Sequence, residues 1–318
     1  MTLTVPHLDL PTLFSSGQCF RMHPMENGAF LVLSGEQALR VTPLGGGRFR
    51  FSCAPSRWPY WQRYFDLETD YEALIAAIPP EETYLRQAAQ ACDGLRILRQ
   101  EPFETLISFI LSQRKSIPAI RGCVEALCQR FGRALPCGAR GFPSPRRLAR
   151  ATEEELRACG LGYRAPYVLA SARMVARDEV DLRACAQLDD PALLETLMTF
   201  PGVGVKVASC VMLFAYHRMA AAPVDVWIQK VIDEVYGGTS PFPRWGQVAG
   251  WYQQMLFYYR QHVLREKHPP SFLQMPAFLR EGRHPHESGG CGTAPDGNGC
   301  IHPARRKDPL RNDVPTGR

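Results

Sequence analysis

No stretch of this chain is apolar for long enough to cross a bilayer, and no two cysteines stand at C-x-x-C spacing. The first absence removes a membrane-spanning helix; the second removes zinc-ribbon and thioredoxin-like motifs. The opening Met1-Thr2-Leu3-Thr4-Val5-Pro6 has neither the basic segment nor the apolar core of a secretion signal, so a cytoplasmic protein is expected. Eleven cysteines is a high count, but it is odd, and those before residue 281 lie singly in apolar or helical segments, as reduced and mostly buried thiols do. A strong charge of one sign is also missing: a net charge of +6 permits a polyanionic partner without identifying one. Residues 281–318 have few apolar side chains and much Gly, Pro, Asp, Arg and Asn, which predicts a disordered tail. Its His284, His286, Cys291, Cys300 and His302 then form no prebuilt metal site.

What is present divides into a small sheet and a helical body. Short apolar runs at Gln18 to His23, Phe30 to Leu33, Ala38 to Thr42 and Arg48 to Ser52 are separated by Glu26-Asn27-Gly28, Ser34-Gly35 and Leu44-Gly45-Gly46-Gly47. Turn residues that close together predict an antiparallel meander. From Asp70 the apolar period changes to that of a helix, with Tyr71, Leu74, Ile75 and Ile78, and the helical pattern runs to about residue 268. Thr152 with Glu155 reads as a capping box, and Asp190-Pro191 as a helix start. The fold class is therefore α+β, with an N-terminal sheet domain over 1–98, a helical body over 99–280 and the tail beyond.

One segment of the body points to chemistry. In Phe200-Pro201-Gly202-Val203-Gly204-Val205-Lys206 a glycine turn joins two apolar helices over about 190–216, a helix-hairpin-helix pattern. Glycines at 202 and 204 allow close approach of a phosphate to backbone N–H groups, although such a turn is also an ordinary helix connection. Lys206 falls in the first turn of the second helix, where the dipole and the flanking Val203, Val205 and Val207 disfavour an ammonium. It is then a nucleophilic amine or, on the plainer reading, a snorkelling or phosphate-contacting cation. Asp225, after Pro223-Val224, reads as a helix N-cap, a rigid ionised group suited to stabilising positive charge at a sugar carbon.

The hairpin with Lys206, the Pro223-Val224-Asp225 segment, Leu156 to Ala165 with its Cys159-Gly160-Leu161-Gly162-Tyr163-Arg164 core, the early Gly17-Gln18-Cys19-Phe20-Arg21 and Ala249 to Phe257 occur in one order. Together they resemble the 8-oxoguanine DNA glycosylase/lyase family of helix-hairpin-helix glycosylases over roughly residues 9–265. The resemblance implies double-stranded DNA containing an oxidised purine as partner, and base-excision repair as activity. It makes Lys206 the nucleophile that attacks C1′ and forms a Schiff base, with β-elimination to follow, and Asp225 the assisting carboxylate. It makes Gly17 the residue whose backbone carbonyl accepts the N7–H of the lesion, Gln253 the reader of the base edge, and Phe257 and Cys210 the groups that sandwich the base. Tyr163 and Arg164 match the wedge that enters the vacated stack, and Gly202 and Gly204 the phosphate-binding turn. No organic cofactor is implied, and the hairpin carbonyls leave room for a monovalent cation. A monomer is expected.

Departures from the family pattern matter too. In Ser112-Gln113-Arg114-Lys115-Ser116 the family's asparagine run is absent: Arg114 stands at the position that reads the opposite base, and Ala119 where a supporting arginine is expected. Cytosine preference opposite the lesion is therefore not carried over. Trp227 replaces a phosphate-contacting histidine and offers only a neutral indole N–H. The four closely spaced cysteines of an iron–sulfur cluster are missing, which argues against the endonuclease III branch. A monofunctional alkylpurine glycosylase of the same fold, disfavoured by Lys206, and a non-catalytic DNA-binding module are the alternatives.

Overall fold

A computed structural model describes residues 1–264, so the expectations for the tail and its cysteines and histidines lie outside the described residues. Five antiparallel strands form one sheet in the order β1-β5-β4-β3-β2: β1 (Thr2–Thr4), β2 (Met22–Pro24), β3 (Phe30–Ser34), β4 (Gln37–Gly45) and β5 (Arg48–Ser52). Alternation makes it one-sided: in β5, Phe49 and Phe51 are buried while Arg48, Arg50 and Ser52 face water. Gly45, Gly46 and Gly47 all have φ between +59° and +79°, a run only glycine makes cheaply, and they reverse the chain from β4 into β5.

Two strand expectations change. β1 was not legible in the sequence; it is a three-residue edge strand paired with β5, Leu3 opposite Phe49. Gln18 to Phe20 lie outside the sheet, and β2 starts only at Met22. The reason is Gln18, fully buried, whose side chain bonds the Arg96 carbonyl and the Leu98 N–H at 2.9 Å each, so this stretch is held by a distant segment and not by a ladder.

The body is helical. Its central helix, Pro102–Ser112, is capped by Glu101, whose carboxylate accepts from Glu104 N–H at 2.7 Å, and Phe103 through Leu111 are all buried. At about 1.5–3 kcal/mol for each large apolar side chain removed from water, this helix anchors the core. The Thr152–Glu155 capping box forms. The next start is displaced by one residue: Asp189 caps the Asp190–Met198 helix by accepting from Ala192 N–H, which puts Asp190 inside the first turn and Pro191 where its missing N–H costs nothing.

Sheet and body are joined by buried polar links. Arg21 reaches Glu104 at 3.4 Å, and the same carboxylate accepts from Gly35 N–H at 2.6 Å. Asp66 accepts from Arg99 at 2.6 Å, Tyr71 Oη at 2.8 Å and His217 at 3.1 Å. Burial works against its charge, but the bonds from His217 and Tyr71 outweigh burial and hold its carboxyl well below the usual range. His217 follows the Val205–Phe214 helix, so this cluster fixes the rear of the helix that carries Lys206.

Candidate active site

The hairpin's two glycines do different work. Gly202 has φ +77°, and a Cβ there would lie 2.6 Å from Tyr167 Cδ2, so the turn admits no side chain. Gly204 has φ −100°, ordinary extended backbone. Its value is space: nothing lies within 4 Å of where its Cβ would be, and it heads the Val205–Phe214 helix without a side-chain cap, which leaves first-turn N–H groups to an outside acceptor.

Lys206 is half-buried in that helix's first turn, and not all of its flanking valines shield it. Val205 is 58 % exposed; the side chain instead lies with Nζ 5.7 Å from the Phe109 ring centroid, and Phe109 in turn stacks on Phe214 at 5.4 Å. Among the described residues Lys206 enters no ion pair, so no carboxylate ties up its amine. Asp225 caps the Val226–Val235 helix, accepting from Trp227 N–H and Ile228 N–H at 2.9 Å, both on Oδ1. The carboxylate is thereby oriented with Oδ2 outside the cap.

Lys206 and Asp225 share a pocket with Gly17, Cys210, Gln253 and Phe257, together with Phe109 and Phe214. These come from the N-terminal turn, the lysine helix, the Asp225 cap and the Ala249–Tyr258 helix, remote in sequence and brought together by the fold. Gln253 is buried, and its Oε1 has no hydrogen-bond partner. A buried amide oxygen left unpaired costs about 1–3 kcal/mol, so in a pocket wall it is open to a ligand that supplies the donor. Burial pushes the Cys210 thiol above its ordinary range against the pull of Lys206, which leaves a neutral, polarizable wall. Gly17 has φ +76°, and an added Cβ would sit 2.9 Å from Ile117 Cδ1. An amine, a carboxylate and a flat, mostly apolar slot can carry out nucleophilic substitution at a carbon attached to a planar ring.

The pocket opens into a cleft of about 550 Å³ lined by Arg114, Lys115, Ile117 and Trp227, with Gly17, Lys206 and Asp225 common to both. Arg114 is exposed and has φ +52°, a left-handed conformation that is uncommon for a non-glycine residue. Its neighbours are anchored: Gln113 donates to the Gly202 carbonyl at 3.0 Å, and Lys115 to the Gly160 carbonyl at 2.9 Å. Lys230 Nζ stands 5.5 Å from the Trp227 ring centroid. Tyr163 is 47 % exposed in the single 3-10 turn Gly162–Arg164, as a wedge requires. Arg164 departs from the wedge expectation. It is buried, its guanidinium lies 4.2 Å from the Tyr163 ring centroid, and it donates to the Leu161 and Gln113 carbonyls. It therefore braces the loop that presents Tyr163.

Glutamines at positions 18, 100, 113 and 254 have no role legible in the sequence, yet each spans more than 75 positions by one of its hydrogen bonds. Nothing local marks them, because their partners are set by tertiary packing.

The chain matches the family of the 8-oxoguanine DNA glycosylase N-terminal domain over residues 1–106 and that of HhH-GPD superfamily base excision DNA repair proteins over 107–243. An N-glycosylase/DNA lyase of Saccharomyces cerevisiae is 30% identical over 244 residues, 61% of this chain and 64% of that protein, so somewhat under two thirds of the relative is spanned. A probable N-glycosylase/DNA lyase of Methanothermobacter thermautotrophicus is 31% identical over 225 residues, 61% of this chain and 71% of that one. Among solved structures, the 8-oxoguanine glycosylase/lyase of Clostridium acetobutylicum, in complex with double-stranded DNA containing cytosine opposite 8-oxoguanine, superposes with TM-score 0.77. It is 32% identical, covering 83% of this chain and 93% of that one. A 3-methyladenine DNA glycosylase from Archaeoglobus fulgidus, 17% identical with TM-score 0.67 over 83% of this chain and 99% of that one, shares the fold.

Proposed function

Because the chain belongs to the 8-oxoguanine DNA glycosylase family of HhH-GPD base excision repair proteins, we propose that it excises 8-oxoguanine from duplex DNA and nicks the strand at the resulting site. Lys206 Nζ, as the free amine, attacks C1′ as the bond from C1′ to the base breaks, and the base leaves with its electron pair and takes up a proton. The amine then expels the ring oxygen to give an iminium at C1′. Loss of a C2′ proton eliminates the 3′-phosphate, and hydrolysis frees the lysine. Asp225, fixed by its two N–H bonds, faces the positive charge that builds at C1′ during both steps.

The observation that carries the reading is the pocket itself: Gly17, Lys206, Cys210, Asp225, Gln253 and Phe257 line one cavity, and the buried Gln253 oxygen lacks a donor. A flipped purine supplies N–H groups along its edge and flat faces for Phe257 and Cys210. Gly17 is the acceptor for the N7–H that 8-oxoguanine carries and guanine lacks. Arg114 and Tyr163 meet the strand left behind, Arg114 by offering donors to the orphaned base, and Trp227 with the Gly202–Gly204 turn meets phosphates. The chain acts as a monomer in the cytoplasm. A monovalent cation at the hairpin would share carbonyls that already accept bonds, that of Gly202 from Gln113 and that of Phe200 from Val203 N–H; no step depends on one.

Borohydride reduction during incubation with a duplex containing 8-oxoguanine tests the reading. A covalent protein–DNA adduct that is absent in Lys206→Gln is the expected result. Excision without any trapped adduct would replace it with monofunctional hydrolysis, and binding without excision with a non-catalytic module.

A further inference from the structure

The turn that carries Gly17 is gripped on both sides by glutamines. Gln254 Nε2 donates to the Ser16 carbonyl at 2.7 Å, and Gln100 Nε2 donates to the Gln18 carbonyl at 2.7 Å. Gln18 is itself pinned by its buried amide, which bonds the Arg96 carbonyl and the Leu98 N–H. The carbonyls flanking Gly17 are thus both occupied, whereas that of Gly17 accepts no hydrogen bond among the described residues. A glycine at φ +76° has conformational alternatives nearby, since no Cβ blocks them. Fixing the carbonyl on each side removes those alternatives. Gln100 does one thing more: its main-chain N–H donates to the Phe214 carbonyl at 2.7 Å, the last residue of the lysine helix.

Building on the role assigned above to Gly17, we infer that Gln100 and Gln254 are positioning residues for lesion recognition. They hold the Gly17 carbonyl at the place where the N7–H of a flipped 8-oxoguanine arrives, and Gln100 references that place to the helix carrying the attacking amine. Discrimination by a single buried hydrogen bond requires such a mount, because an acceptor free to rotate would meet guanine and 8-oxoguanine alike.

The test uses the full chain and two substrates, a duplex with 8-oxoguanine and a duplex with an abasic site. The second has no base to recognise and reports the strand-nicking step, which Lys206 and Asp225 carry. Gln100→Met and Gln254→Met remove the donors at nearly constant shape. Excision of 8-oxoguanine in a single turnover is expected to fall about tenfold in either variant, the worth of one buried hydrogen bond, while abasic-site nicking stays within about twofold. A general loosening of the fold lowers both activities together, so equal losses would overturn the inference, as would unchanged excision in both variants. A wild-type chain that nicks abasic DNA but leaves 8-oxoguanine untouched would overturn the base reading and the clamp's part in it together.

Discussion

The inner pocket and the cleft outside it are built on opposite terms. In the pocket, Asp225 is held by two N–H groups, Gly17 by glutamines on both flanks, and Cys210 and Gln253 are buried. Outside it, Arg114 in the cleft wall and Tyr163 on a separate turn are exposed, and what is fixed is the backbone beneath them, by Gln113, Lys115 and Arg164. The pocket freezes side chains; the cleft freezes the loops and leaves the tips to adapt. That division suits a reaction in which one base must fit a rigid slot while a flexible polymer is bent to reach it.

The comparison breaks most visibly at the amine. Lys206→Gln is expected to lower excision and nicking by at least about a thousandfold, with binding to abasic DNA retained, in single-turnover and gel-shift measurements. Asp225→Asn separates the residue's two tasks: asparagine caps a helix as well as aspartate, so melting should change little, while excision falls about a hundredfold for want of the charge. Asp225→Ala should lose, in addition, about 1 kcal/mol of stability by thermal or urea unfolding. Gly17→Ala adds a side chain at positive φ, with its Cβ 2.9 Å from Ile117. About 1–2 kcal/mol of destabilisation is expected, with loss of 8-oxoguanine excision exceeding loss of abasic nicking. The smallest effect tests the cleft: Arg114→Gly relieves a left-handed backbone and should stabilise the fold by up to about 1 kcal/mol, yet weaken DNA binding and lower the salt slope by about one ion. Measured against each of the four opposite bases, the same variant should flatten whatever preference the wild type shows. A pocket variant that gains stability, or a cleft variant that loses it, would contradict the division.

Much of this was readable before folding. The hairpin, Asp225 as a cap, the Thr152 box and three strands follow local rules of turn, cap and period. Cys210, Gln253 and Phe257 entered through resemblance and come together with Lys206 in one cavity. The misses share one cause. β1 is three residues long and exists only because β5 is beside it; Gln18 leaves the sheet for partners 78 and 80 positions away; Arg164 turns inward to Gln113, 51 positions back. Bonds across such separations leave no periodicity to read, so they surface only in three dimensions.

The link between Gln100 and Phe214 has a consequence for how such enzymes diversify. The two matched families meet at residues 106 and 107, yet this link joins the N-terminal stretch to the lysine helix across that seam. A chimera spliced there from two relatives would inherit its lesion-reading turn from one parent and its reacting amine from the other. Its alignment would rest on whether the two parents agree at this main-chain contact and at the other bonds across the seam, Asp66 with His217 and Ser16 with Gln254 among them, so exchange of halves is constrained there.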